Sequence, residues 1–210
     1  MTLENSMVLH RLYDQYMQKK AKIFLLLSAN KNAGVTYCCK KIANSASKLL
    51  PDIKTIIVDM NIYNPVLSKA VGNPAKGWIS CLTDQPDFEL KDAVLPIPDM
   101  DNVKLLPAGD TSQYNMIALE RHRNSLIFDI LKKDFDLILV DSPSYYQGPE
   151  AGILCKTADS TIITVEAEVT RRPMVKQMID EVRELNDSIL GILFNKRKFH
   201  IPQWVYSRFF

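Results

Sequence analysis

Short apolar runs alternate with amphipathic segments along most of the chain. Runs rich in Val, Ile and Leu predict buried strands at residues 22–28, 54–60, 102–109, 135–143, 160–167 and 189–195, the third of which ends in a turn. Apolar residues spaced by three or four positions predict helices at residues 7–17, 36–49, 124–133 and 172–185. Residues 61–87 are rich in Asn, Pro and Gly, and we expect them to be irregular.

The alternation of strands and helices predicts the fold class. Strands that are apolar on both faces are typical of a parallel sheet covered by helices on both sides. We therefore expect an α/β protein with a doubly wound, mostly parallel sheet. No repeat or linker divides the chain, so residues 1–210 are interpreted as a single domain, with an N-terminal helix within residues 1–20 and a basic, aromatic C-terminal segment at residues 196–210.

The composition is that of a globular protein and argues against several other classes. The 210 residues are 47% hydrophobic and 24% charged, and a net charge of +2 does not favour binding to nucleic acid. No apolar run approaches the roughly 18 residues needed to cross a bilayer, and the N-terminus lacks the apolar centre of a signal peptide. We therefore expect a cytoplasmic protein. Its four cysteines lack CxxC spacing and are interpreted as reduced, buried thiols.

Polar residues stand where three of the predicted strands end. The first strand runs into a loop, residues 28–36, before a helix; the second ends at Asp59, and the run "LILV" is followed by Asp141. The carboxyl ends of parallel strands meet at one edge of a sheet, where ligands bind. Helix-terminal amides attract phosphate, and hydroxyl and carboxylate oxygens bind Mg²⁺. The set predicts a magnesium-nucleotide site; the alternative is that both aspartates are ordinary polar residues leaving buried strands.

Six segments, in their order along the chain, resemble one protein family. They are "SANKNAGVT", "TIIVDMNIYNPVLSKAVG", "GWISCLTDQPD", "NVKLLPAGD", "DFDLILVDSPSY" and "ILGILFNKRKF". From Lys22 onward the chain resembles the cytoplasmic tyrosine kinases of bacterial capsule and exopolysaccharide synthesis, the BY-kinases, within the MinD/ParA-like P-loop ATPases. The resemblance implies a sheet of the P-loop NTPase kind.

The resemblance also implies a role for each residue of the site. The loop would wrap the phosphates of ATP or ADP, and Asn195 at the end of the last strand would contact the base. Thr36, Asp59 and Asp141 would hold magnesium, and the two aspartates would be the catalytic carboxylates of the Walker A′ and Walker B motifs. The nucleotide-binding stretch is Asn30, Lys31, Asn32, Ala33, Gly34, Val35, Thr36 and Tyr37.

Four positions depart from the family pattern. Val35 stands where the family has the loop lysine that meets the β- and γ-phosphates, and Asn32 stands at a glycine position. A second, signature lysine corresponds to Asn30, with Lys31 one place away, and the second Walker A′ aspartate corresponds to Asn61. Losing one electrostatic group commonly slows phosphoryl transfer on the order of 100-fold. The sequence therefore predicts a degenerate site with weak or no ATP turnover, which would make the protein a pseudokinase.

Both ends of the chain also differ from the kinases. The C-terminal segment has one tyrosine, Tyr206, in place of a tyrosine cluster. The N-terminal helix has one arginine, Arg11, in place of the Glu-x-x-Arg-x-x-Arg pattern that builds the kinase ring. The C-terminal segment itself has two interpretations: it packs back on the domain, or it binds a lipid surface or a partner.

These observations lead to one expected function and two alternatives. We expect a regulatory or scaffolding protein of polysaccharide production and export. It would dock on the cytoplasmic face of a membrane polysaccharide co-polymerase, peripheral to the inner membrane, alone or as a homo-oligomer. The first alternative is an active ATPase or tyrosine kinase whose deviant loop uses Lys31. The second is a MinD/ParA-like positioning ATPase that binds membranes through its C-terminal segment.

Overall fold

A computed structural model describes residues 3–83, 89–120 and 124–197 around a seven-stranded sheet. The strands are β1 (Ile23–Ser28), β2 (Thr55–Asp59), β3 (Leu95–Ile97), β4 (Met100–Leu106), β5 (Leu137–Asp141), β6 (Ser160–Glu166) and β7 (Ile189–Asn195). The α-helices are α1 (Leu3–Lys19), α2 (Val35–Leu49), α3 (Val66–Ala70), α4 (Met116–Ala118), α5 (Asn124–Asp134), α6 (Glu150–Thr157) and α7 (Arg172–Leu185). Short 3₁₀ helices lie at Trp78–Leu82, Leu90–Ala93, Thr111–Gln113 and Tyr145–Gln147.

The strand order, β3-β4-β2-β5-β1-β6-β7, places the first long strand deep inside the sheet. All neighbouring strands are parallel except β3 and β4, which form an antiparallel pair at one edge. The chain extends the sheet to both sides of β1, so a topological switch point lies beside the carboxyl end of β1. Ligands of open α/β sheets bind at such a point.

Two hydrophobic cores cover the sheet, one on each face. On one face α1 and α2 pack against Phe24 and Leu26 of β1. On the other face α5, α6 and α7 pack against Leu25 and Leu27 of the same strand. Successive strand residues point to opposite faces, and burial of both faces explains the unbroken apolar runs. The prediction of a doubly wound, mostly parallel α/β fold is confirmed.

The predicted helices and strands are all present, with their ends shifted by a few residues, but several short elements were not predicted. Helix α3 and the 3₁₀ helix Trp78–Leu82 lie in the stretch expected to be irregular, so that expectation was partly wrong. Helices α4 and α6, strand β3 and the other three 3₁₀ helices were also missed. Each missed element is short: β3 has three residues and contains Pro96. Such segments contain too few turns or alternations for a periodic pattern to emerge.

Several side-chain predictions concern packing. The side chain of Trp78 is 1% exposed and belongs to the hydrophobic core. Cys38, Cys39 and Cys155 are buried free thiols, as predicted, and Cys81 is partly buried. The predicted C-terminal segment from residue 198 onward, including Tyr206, lies outside the described residues. In the part of the chain that the structure describes, no helix is both long and apolar enough to span a bilayer.

Candidate nucleotide site

Two aspartates lie side by side where β2 and β5 end. Asp59 and Asp141 are register partners in these neighbouring parallel strands, and both are fully buried. The backbone N–H of Met60 donates to the Asp141 carbonyl at 2.9 Å, so the strands stay together just beyond the pair. The two carboxylates that the sequence singled out are therefore neighbours at the carboxyl edge of the sheet.

A short helix and a buried tryptophan hold Asp59 in place. Asp59 Oδ2 accepts hydrogen bonds from the backbone N–H of Ser68 at 2.8 Å and from the Ser68 hydroxyl at 2.7 Å. The Trp78 indole Nε1 donates to the backbone carbonyl of Asp59 at 2.7 Å. Ser68 was not among the predicted site residues because α3 was not predicted; Pro65, directly before that helix, was the available signal.

Burial changes the protonation of both carboxylates. The pKa of Asp141 is raised to about 8. The larger cause is the loss of solvation on burial, and the smaller is repulsion from the charge of Asp59. The nearby Thr36 hydroxyl and the positive charge of Lys40 both oppose this rise in the pKa of Asp141. Burial also raises the pKa of Asp59, although the hydrogen bonds from Ser68 oppose the rise. Two adjacent buried carboxylates favour a retained proton or a bound cation.

Three oxygens of the aspartate pair have no hydrogen-bond partner among the described residues: Asp59 Oδ1, Asp141 Oδ1 and Asp141 Oδ2. A buried polar atom without a hydrogen-bond partner destabilises the fold unless a bound ligand or ion interacts with it. The Thr36 hydroxyl adds a further oxygen near Asp141. Because Mg²⁺ prefers oxygen ligands, the donor set of Thr36, Asp59 and Asp141 fits a magnesium ion.

The loop at residues 29–34 joins β1 to α2 and borders a cavity of about 480 Å³. Asn32 and Gly34 both have positive φ angles, 63° and 95°. A Cβ atom at Gly34 would also lie 1.9 Å from Asn195 Nδ2, so this position requires glycine. Since Gly34 has no side chain to cap α2, the first amides of the helix stay available to an anion such as phosphate.

Val35, where the resemblance implies a lysine, brings no charge to this cavity. Its side chain is 8% exposed and packs in the core between α2 and the sheet. As the first residue of α2, it still borders the cavity. The site therefore lacks a cation at the position from which a P-loop lysine meets the β- and γ-phosphates.

Two side chains at the end of β7 hold the loop, and we call their contacts the loop brace. Asn195 Nδ2 donates to the Ala33 carbonyl at 2.9 Å. Lys196 Nζ donates to the Asn32 carbonyl at 2.7 Å and forms an ion pair with Glu166 at 3.0 Å. The amide of Asn195, to which the resemblance gives a contact with the base, is thus bonded to the loop backbone.

The other predicted loop residues differ in where they point. Asn30 Oδ1 accepts a hydrogen bond from the Thr170 hydroxyl at 2.7 Å, and Asn30 is not among the residues that line the cavity. Lys31 and Tyr37 are exposed and do line it. The ring of Tyr37 lies 5.4 Å from Lys41 Nζ, a cation–π distance. The structure therefore brings Lys31 and Tyr37 to the cavity and turns Asn30 towards the β6–α7 connection.

Further side chains outside the loop line the cavity. They include Asn61 and Asn64, which follow β2, and Lys40, one turn after Thr36 on α2. Asn61 stood out in the sequence as a departure from the family pattern, whereas Lys40 was not predicted to belong to the site. Its spacing of four residues from Thr36 on an amphipathic helix was the signal that could have identified it.

No protein-family model matches the chain. The chain is similar to the tyrosine-protein kinase CpsD of Streptococcus agalactiae serotype III, at 24% identity over 185 residues that cover 87% of this chain and 77% of the kinase. It is also similar to the succinoglycan biosynthesis transport protein ExoP of Rhizobium meliloti, at 23% identity over 159 residues that cover 73% of this chain and 20% of ExoP.

Two solved structures have the same fold. The kinase domain of VpsO matches with a TM-score of 0.76 at 19% identity and covers 93% of this chain and 97% of that one. MinD of Pyrococcus horikoshii, complexed with Mg-ADP, matches with a TM-score of 0.67 at 18% identity and covers 89% of this chain and 76% of that one. The resemblance is thereby confirmed: the protein is a relative of the bacterial tyrosine kinases of the CpsD type and has the P-loop fold that they share with MinD.

Proposed function

We propose that the protein is a degenerate tyrosine-kinase-like P-loop protein with weak or no ATP turnover, acting as a regulatory or scaffolding partner in polysaccharide production and export. The observation that carries the proposal is the apolar, buried Val35 at the start of α2. A P-loop without its lysine lacks the charge that stabilises the phosphoryl group during transfer. A nucleotide in this site would be held rather than consumed.

Two neutral side chains at charged positions support the same proposal. Asn61 borders the cavity where the resemblance implies a second Walker A′ aspartate, and its Oδ1 accepts from the Asn64 backbone N–H at 3.2 Å. Asn30 stands where the resemblance implies a signature lysine, and its Oδ1 accepts a hydrogen bond from the Thr170 hydroxyl. An amide is a poor general base and carries no charge to offset that of a transferred phosphoryl group. Three groups that would assist transfer are therefore neutral.

The place of the protein in the cell is proposed from its relatives. CpsD is named a tyrosine-protein kinase, and ExoP a succinoglycan biosynthesis transport protein. We infer that this chain works on the cytoplasmic face of a membrane polysaccharide co-polymerase, alone or as a homo-oligomer. It would contribute contact surfaces to that assembly instead of phosphorylation.

An active ATPase or tyrosine kinase is the second candidate, and the aspartate pair favours it. Asp59 and Asp141 keep oxygens suited to a metal ion. Lys31 is exposed on the loop and lines the cavity, and in this candidate it would supply the charge absent from position 35.

Phosphate release from ATP separates the two candidates. Purified protein is incubated with radiolabelled ATP and Mg²⁺, and released phosphate and phosphotyrosine are compared with those of an Asp59→Asn/Asp141→Asn double variant. The proposal predicts no difference between the two proteins. Turnover or tyrosine labelling that is lost in the double variant and in Lys31→Ala would establish the second candidate.

Complementation tests the scaffolding part of the proposal. A host strain that lacks the protein receives either the wild type or the double variant, and the yield and chain length of its exported polysaccharide are measured. We expect both proteins to restore the polymer. Restoration by the wild type alone, with both proteins present at equal levels, would mean that chemistry at the aspartates is required.

A further inference from the structure

Three lysines border the cavity that lacks a lysine at position 35: Lys31, Lys40 and Lys196. Lys196 is committed to the loop brace, because its ammonium bonds the Asn32 carbonyl and Glu166 at 2.7 and 3.0 Å. Lys31 belongs to the exposed loop, directly before the left-handed Asn32. Lys40 differs from both, because it projects from a regular part of α2.

Lys40 shares a helix face with the metal-site hydroxyl. Thr36 and Lys40 are four residues apart on α2, so their side chains lie one turn apart on the same side of the helix. Both residues line the cavity, together with Asn61 and Asn64. Among the described residues, none forms a hydrogen bond or an ion pair with the Lys40 ammonium, which is exposed. A long, unpaired cation therefore stands at the rim of the site.

The positive charge of Lys40 also interacts with the carboxyl group of Asp141. It acts to lower the pKa of Asp141, against the effect of burial. The next residue behaves differently, since Lys41 does not line the cavity and lies over the ring of Tyr37. Two adjacent lysines of one helix thus have different surroundings, and they provide a matched pair for an experiment.

We propose that Lys40 binds the terminal phosphates of a nucleotide at this site, in place of the missing loop lysine. The inference rests on the proposed function, because it names the contact by which a site without turnover still holds its ligand. The ligand class is a nucleoside di- or triphosphate, and the group recognised is its polyphosphate. Lys40 and Asn61 both line the cavity, and the first amides of α2 lie at its loop.

The position of Lys40 suits binding rather than catalysis. A loop lysine lies against the β- and γ-phosphates between which the bond breaks. Lys40 lies about one turn further along α2. There its positive charge also interacts with the buried carboxyl group of Asp141. A charge that stabilises the bound nucleotide and its transition state equally raises affinity without raising the rate of the bound complex.

Calorimetric titration measures this contact directly. The probes are Mg-ADP and tripolyphosphate, which has no base or sugar. We expect Lys40→Ala to raise the Kd for both probes by roughly 10- to 100-fold, the effect of removing a charged hydrogen bond. Lys40→Arg keeps the charge and should retain most of the affinity. Lys41→Ala is the control, and its Kd values should stay within about twofold of the wild type.

A rescue experiment separates phosphate binding from a structural role. Val35→Lys, added to Lys40→Ala, places a charge at the usual P-loop position and should recover roughly tenfold or more of the lost affinity. The urea midpoints of Lys40→Ala and Lys41→Ala should match that of the wild type, because both side chains are exposed. Loss of affinity without loss of stability assigns the effect to the site.

Two results would overturn the assignment. One is equal affinity of the wild type, Lys40→Ala and Lys41→Ala for both probes. The other is a wild-type protein that binds neither probe at millimolar concentration. Both leave the proposed function standing, because a partner that acts through contacts does not require nucleotide. The proposed function fails through a different measurement, phosphate release above the level of the double aspartate variant.

Discussion

The two halves of the site are built in different ways. Asp59 and Asp141 end central strands, are fully buried, and share the core with Trp78. The loop at residues 29–34 exposes Lys31 and Asn32 and is held by the loop brace from β7. The aspartates belong to the packing of the sheet, so their presence says little about turnover. Position 35 borders the cavity, so the neutral side chain of Val35, although it packs in the core, is the better indicator of chemistry.

Restoring the loop should produce the largest change. Val35→Lys combined with Asn32→Gly returns the missing charge and removes a side chain from the loop, and we expect ATP turnover to rise roughly 10- to 100-fold. The rise stays below that of an intact site because Asn61 remains neutral. Phosphate release is the measurement, and adding Asp141→Asn should abolish the gain. Unchanged turnover, in a variant that binds Mg-ATP more tightly, would place the defect elsewhere than in the loop.

Removing the indole beneath the aspartates tests the buried half. Trp78→Ala should lower the free energy of unfolding by about 3 to 5 kcal/mol, through the cavity created and the lost hydrogen bond to the Asp59 carbonyl. Urea denaturation gives the value, and Trp78→Phe should cost less because it leaves a smaller cavity. A loss below about 1 kcal/mol for Trp78→Ala would show that this half does not depend on the core.

Asp141 should make the stability of the nucleotide-free protein depend on pH. Its pKa of about 8 in the folded protein lies above the usual value of about 3.9, so the folded state holds the proton more tightly than the unfolded state. The contribution of this proton to the stability of the fold is fully present below about pH 4. It is lost as the pH rises to about 8. We expect the free energy of unfolding to fall by roughly 2 to 4 kcal/mol between about pH 5 and pH 8.

Urea denaturation across this pH range measures the slope of the free energy of unfolding against pH. Asp141→Asn should flatten it, and Mg²⁺ at high concentration should reduce it by replacing the proton. A wild-type slope equal to that of Asp141→Asn would mean that the aspartate titrates normally.

The loop brace should give the smallest effects. Asn195→Ala removes a partly buried hydrogen bond and should cost about 1 kcal/mol, whereas Lys196→Met removes exposed contacts and should cost about 0.5 kcal/mol. Hydrogen exchange at the loop amides should increase in both variants. If Lys196→Met destabilised the protein as much as Trp78→Ala, the contrast between the two halves would disappear.

The central sheet was predictable because its strands carry continuous apolar runs. The same runs located Asp59 and Asp141, since each aspartate directly follows a buried stretch. The neutral side chain of Val35 was also visible in the sequence. Its packing in the core was not, because burial depends on how α2 lies on the sheet.

The contacts that complete the site were not predictable from local patterns. Asn195 and Ala33 are 162 residues apart in the chain, and Lys196 and Asn32 are 164 apart. Such pairs meet only because the fold brings β7 close to β1, with β6 between them. Ser68 was missed for a different reason, since α3 has five residues and shows no helical period.

Single-turnover phosphate release tests the central claim most directly. Wild-type protein, in excess over labelled ATP with Mg²⁺, is compared with the Asp59→Asn/Asp141→Asn double variant and with Val35→Lys/Asn32→Gly. We expect the wild type to release phosphate no faster than the double variant, and the loop-restored protein to be faster than both. A wild-type rate well above that of the double variant would contradict it and would identify the protein as a working ATPase or kinase.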